Sequence, residues 1–188
     1  ASAFELFSQP IGSSAWRESL RSLSWLADFA DSNRKLHVHF AFRLLGHWKA
    51  SKTARNNLDH MCRALLALST HGAKLASTVD RQTQAEFFDI VAHVVRSVAA
   101  FRSRGAKETW LQAVSLLYAC TAFQGLNHFY KPSSDALNAA LDELILADGG
   151  PASRRAQDII DILMVLLPLQ SAMKMSRQKL QSLRPTNS

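Results

Sequence analysis

Apolar residues recur every three to four positions along nearly all of this chain, and no stretch sustains the two-residue alternation of a strand. That period belongs to helices with one face in a core. It predicts an all-α protein of about seven helices, near residues 14–31, 34–50, 54–71, 82–103, 107–124, 133–147 and 153–183. Rows such as Phe87, Val91, Val94 and Val98, or Trp16, Leu20 and Leu23, read as inward faces. The four tryptophans (Trp16, Trp25, Trp48 and Trp110) are likewise expected to serve as core rather than to stack on bases.

The punctuation agrees with this layout. Gly72, Gly105, Gly125 and the pair Gly149-Gly150 each follow a periodic run, where glycine can take positive φ without steric cost. Thr53, Thr83 and Ser133 are candidate N-caps, with Thr83 and Glu86 spaced as a capping box. Pro10, Pro132 and Pro151 fall outside helices, whereas Pro168 falls within the last one and is expected to break it.

These elements group as an N-terminal extension (1–12), a single all-α domain (13–183) and a short tail (184–188). Residues 64–74 echo residues 97–107 in apolar positions and in a closing Gly-Ala-Lys. A period near 33 fits helix hairpins that stack, since one hairpin cannot bury its apolar face alone. The expected architecture is therefore antiparallel hairpins, as a helical repeat (α-solenoid-like) or an irregular bundle.

One segment carries a family likeness. Residues 110–123 read Trp-Leu-Gln-Ala-Val-Ser-Leu-Leu-Tyr-Ala-Cys-Thr-Ala-Phe, followed by Gln124-Gly125-Leu126-Asn127. After Lys131-Pro132-Ser133 comes a run from Ser134 to Leu144 with leucines at 137, 141 and 144. This hairpin resembles a unit of the organellar helical-repeat proteins, the heptatricopeptide, octotricopeptide and FAST-kinase-like groups. Residues 58–103 follow the same plan less closely, with an extra stretch between Gly72 and Thr83, and no RAP-type domain is visible within the 188 residues. The resemblance implies a mitochondrial (matrix) or plastid protein that binds RNA or sits in a ribonucleoprotein such as the mitochondrial ribosome.

Charge changes the picture more than composition does. The 188 residues carry 22 Lys+Arg against 15 Asp+Glu, a net +7, which favours an anionic partner. From Asn33 to Leu58 there are six basic residues (Arg34, Lys35, Arg43, Lys49, Lys52 and Arg55) and no acidic one. On a helix Lys35, His39, Arg43 and His47 recur every fourth position as a polar stripe, beside Leu36, Phe40, Leu44 and Trp48, which are expected to face the core. A row of cations can follow a phosphate backbone. Arg96, Arg102, Arg104 and Lys107 form a second cluster around Gly105, and Lys174, Arg177, Lys179 and Arg184 a third, with no acid after Asp161. Residues 133–161 are net acidic, so the charge has two poles.

Signatures of chemistry are missing. There is no phosphate-cradling glycine loop and no Gly-x-Ser-x-Gly. The seven histidines are scattered without metal-ligand spacing, and Cys62 and Cys120 lie in apolar helical runs as small hydrophobes, which fits a reducing compartment. No cofactor, metal or small-molecule substrate is expected. The apolar run 159–169 is too short and interrupted to span a bilayer and reads as a core helix. Residues 1–7 show no targeting pattern.

The expectation is thus a non-catalytic subunit of an organellar ribonucleoprotein that contacts RNA, rRNA first, and neighbouring proteins. The RNA contacts would come from Arg34, Lys35, His39, Arg43, His47, Lys49, Lys52, Arg55, Arg102, Arg104 and Lys107. The alternative is a scaffold or accessory subunit of a mitochondrial membrane complex, such as a respiratory complex or ATP synthase. There the basic surface would meet acidic subunits or anionic lipid.

Overall fold

A computed structural model of the chain describes residue 7 and residues 12–32, 34–51 and 57–182, with side chains to residue 175. Among the described residues the regular structure is helical, apart from one isolated antiparallel bridge between Ile145 and Pro151. They form two compact units, residues 1–103 and 104–188.

In the first unit the helix expected over 14–31 divides into α1 (Ser14–Ser22) and α2 (Leu26–Ala30). Leu23 stops α1 in the left-handed region (φ 59°), and the Ser24 amide donates back to the Ser19 carbonyl at 3.2 Å. A left-handed leucine costs roughly 1–2 kcal/mol. Its complete burial offsets that, since burying a leucine side chain is worth about 1.5–3 kcal/mol. Trp16, read as core, is instead 38% exposed, and its ring lies over Gly12.

Helix α3 (Lys35–Ala50) buries Val38, Ala41, Leu44, Leu45 and Trp48. The Trp48 indole donates to the Arg21 carbonyl at 2.9 Å and so ties α3 to the end of α1. Helix α4 (Leu58–Ala67) starts at an Asn57 cap that accepts the Asp59 amide at 2.8 Å. It does not stop at Gly72. The chain winds through a π-turn (Leu68–Gly72) straight into α5 (Ala73–Ala76). Gly72 is there for space, because a Cβ would sit 2.8 Å from the fully buried Phe87 ring. Asp80, and not Thr83, caps α6 (Arg81–Ala100), accepting from the Gln82 and Thr83 amides and from the Thr83 hydroxyl. Phe87, Val91, Val94 and Val98 face inward from α6, as their spacing predicts.

The internal echo does not extend to conformation. Residues 64–74 form continuous helix, whereas 97–107 end α6, pass through extended backbone and enter the next helix with Gly105 as its N-cap. Two similar strings of small and apolar residues are resolved differently by what packs on them.

The second unit is built on a hairpin. Helix α7 (Ala106–Ala122) buries an unbroken run from Ala113 to Ala119. Gly125 (φ +86°) then turns the chain, through a 3-10 turn (Asn127–Phe129), into α8 (Tyr130–Leu144), which packs along α7. Pro132 lies inside the first turn of α8, where its missing N–H would have no helical partner anyway. Ser133 is therefore a buried helical residue and not a cap. Gly149 (φ +79°) turns the chain again, and the Asp148 carboxylate accepts the Gly150 amide and the Arg154 guanidinium, both at 2.9 Å.

Helix α9 (Ala156–Ser182) runs through Pro168 without ending. The Tyr118 hydroxyl of α7 donates to the Val165 carbonyl at 3.0 Å, an extra donor in the turn that Pro168 deprives of an N–H. Among the described side chains of this helix only Ile162 and Leu169 are buried, so the segment read as a core helix is one-sided.

Candidate nucleic-acid interface

The basic stripe of α3 is real over its first three members. Lys35, His39 and Arg43 are exposed, and none of them enters an ion pair among the described residues, while His47 is half-buried. The expected apolar stripe beside it is only half right. Leu44 and Trp48 are buried, but Leu36 is 77% and Phe40 49% exposed. Helical geometry explains the difference. A four-residue step turns about 400°, so a row at that spacing drifts about 40° per step. Over three steps such a row leaves the outer face and enters the core, which is why one end of each stripe is exposed and the other covered.

The outer face of α3 therefore interleaves polar, mostly basic side chains with apolar groups: Lys35, Leu36, His39, Phe40 and Arg43. Phe40 is held from one side by Phe29, with ring centroids 6.0 Å apart. Phe29 in turn meets Trp25 edge-on at 5.6 Å and the His37 ring at 6.3 Å. His37 Nδ1 and the Ser32 hydroxyl share a 2.6 Å hydrogen bond. An exposed aromatic ring braced in this way, with cations on either side, is the combination that holds unpaired bases and their phosphates.

Beside it opens a cleft of about 420 Å³ in the same unit. Its floor is apolar (Ala30, Val38, Leu75 and Val79), Lys35 and Lys74 bring positive charge to it, and His39 also lines it. Asp80 also lines the cleft, but its carboxylate is committed to the amides of α6, which hold its pKa below the ordinary value. Lys74 reaches Asp31 at 4.0 Å, a loose surface pair. The sequence reading missed Lys74 because it stops the helix at Gly72. No local signal marks it, because the space that Gly72 leaves for Phe87 is visible only in the fold.

The remaining predicted contacts are scattered. Arg34 is exposed just before α3. Lys49 is paired with Asp89 of α6, so an acid from another helix answers the segment that has none of its own. Lys52 and Arg55, with the predicted cap Thr53, lie outside the described residues. Arg102 closes the first unit, and Arg104 and Lys107 open the second. Lys107 lines a small cleft of the second unit with Asp158 and Asp161, and its charge helps to hold the Asp158 carboxyl below the usual range, after the Ser153 hydroxyl and the Arg155 charge. Lys107 thus sits among acids.

Among the described residues, no three His, Cys, Asp or Glu side chains gather around a common point. Cys62 is buried, and the half-buried Cys120 donates its thiol to the Leu126 carbonyl at 3.2 Å, with burial pushing its pKa up to about 11. A thiol so protonated is a poor nucleophile. No protein family, curated protein or solved structure matches this chain.

Proposed function

We propose that this chain is a non-catalytic subunit of an organellar ribonucleoprotein, the mitochondrial ribosome first among them, and that it contacts RNA through the outer face of α3. The observation that carries the RNA reading is that face: exposed Lys35, His39 and Arg43 set among exposed Leu36 and Phe40, beside a cleft that Lys74 also borders. Phosphates would lie along the cations, and an unpaired base would lie on Phe40 or in the cleft. The organellar assignment has separate support. It rests on the resemblance of residues 110–144 to the hairpins of organellar helical-repeat proteins, and α7 and α8 form a hairpin with Gly125 at its turn.

The test is recovery of the tagged protein from the cells that make it, after crosslinking, with and without ribonuclease. The expected result is crosslinked RNA together with ribonucleoprotein subunits, and loss of the RNA crosslink in Lys35→Glu/Arg43→Glu. Recovery of inner-membrane complex subunits without RNA would overturn this reading. It would favour an accessory subunit of a membrane assembly, a role to which the exposed apolar residues of α9 are suited.

A further inference from the structure

Helix α9 has an outward face that nothing in its own unit covers. Ile160 (49% exposed), Leu163 (44%), Met164 (71%) and Leu167 (58%) stand at i, i+3, i+4 and i+7 on one helix face, and Met175 (69%) continues the same row. From Ile160 to Met175 the row is about 22 Å long at ~1.5 Å per residue. Its opposite side is engaged: Ile162 and Leu169 are buried, and the Val165 carbonyl accepts the Tyr118 hydroxyl of α7. The span Ala156–Met175 has a mean hydropathy of 1.3, yet only 11% of it is buried. An uncovered apolar row of this kind marks a binding surface.

Charge identifies the occupant. After Asp161 there is no acidic residue in the sequence, whereas Lys174, Arg177, Lys179 and Arg184 follow in close order. An apolar helix face running into a cluster of cations is complementary to a bilayer surface with anionic headgroups: the apolar residues enter the acyl boundary and the cations meet the phosphates. A spanning arrangement fits less well. The length of α9 that could cross a bilayer is pinned sideways to α7, and only one face is available to lipid.

We infer that α9 docks this protein on an anionic membrane surface, lying in the interface with Ile160, Leu163, Met164 and Leu167 inserted and Lys174 on the headgroups. This site belongs to residues 104–188, whereas the proposed RNA face belongs to residues 1–103, so the two stand or fall separately.

The experiment is flotation of the full chain with vesicles of phosphatidylcholine alone, and with about 30% phosphatidylglycerol added, at low and high salt. Binding is expected to the anionic vesicles, to weaken with salt and to be much poorer on phosphatidylcholine. Leu163→Gln/Leu167→Gln should weaken it at least about tenfold, from the lost apolar area, with an unchanged circular dichroism spectrum. Lys174→Glu should weaken it by a smaller factor, and Lys35→Glu/Arg43→Glu should leave it unchanged. The inference fails if the anionic vesicles recover no protein, or if Leu163→Gln/Leu167→Gln binds them as well as the parent. It also fails if light scattering shows a dimer which that double variant dissociates, since the face would then be covered by a second copy of this chain.

Discussion

Helices α3 and α9 both present apolar side chains to solvent, and they combine them with positive charge in opposite ways. On α3 the two are interleaved across one face, Lys35 and Arg43 alternating with Leu36 and Phe40. On α9 they are separated along the axis, with the apolar row first and the cations at its end. Interleaving suits a flexible polyanion, whose bases and phosphates alternate on the scale of a few ångströms. Axial separation suits a layered partner, whose apolar and charged zones are each continuous. Composition alone would treat the two helices as alike; the order of residues around the helix makes the difference.

The comparison depends first on α3 having an inner and an outer side that the period-four stripe confuses. Trp48→Ala, which empties a fully buried site and removes the bond to the Arg21 carbonyl, should cost about 3–5 kcal/mol in denaturant unfolding. Leu36→Ala should change stability by no more than about 0.5 kcal/mol. Equal costs would mean that the face is misassigned. On α9, Pro168→Ala restores an N–H within a continuous helix at an exposed position, so unfolding should require about 1–3 kcal/mol more. A loss of stability there would mean that α9 needs its proline bend to stay on α7.

Two glycines sharpen the picture of the first unit. Gly72→Ala should destabilise by about 1–3 kcal/mol, because its Cβ meets Phe87. Gly46→Ala, on the open face of α3 with nothing within 4 Å, should stabilise by about 0.5–1 kcal/mol. Matched signs would contradict the claim that the first glycine is there for space.

The smallest effect concerns pH. Burial holds the His60 pKa below its ordinary 6.5. The unfolded chain therefore takes up the proton more readily, and stability should fall as pH drops below 6.5 toward the lowered folded value. In His60→Gln that fraction of the decline should vanish. If the parent and this variant show the same profile between pH 7 and 5, His60 is not the group responsible.

What the sequence could and could not announce follows from the range of the interactions involved. Periodicity placed nearly every helix, since one apolar face per turn is a local property, and Gly125 and Gly149 mark turns that any L residue would strain. Three features needed a partner from elsewhere in the chain. Gly72 looks like a helix terminator until Phe87 of α6 is seen against it. Lys49 looks free until Asp89 arrives from forty residues away. The run 159–169 looks like a core helix because hydrophobicity is legible, whereas the packing of α7 against one side of it is not. On the candidate interface, Lys35, His39 and Arg43 were legible from spacing alone, while Phe40 and Leu36 were assigned to the wrong side because spacing by four drifts.

The claim that α3 is a phosphate-following face is tested most directly by the salt dependence of binding to a structured RNA, measured by fluorescence anisotropy for the parent and for Lys35→Glu/Arg43→Glu. The account predicts that log K falls linearly with log salt, and that the double variant binds at least about tenfold more weakly at low salt with a slope shallower by roughly 1.5–2, the share of two phosphate contacts. Parent and variant lines that coincide, or a parent that does not bind at low salt, would contradict it.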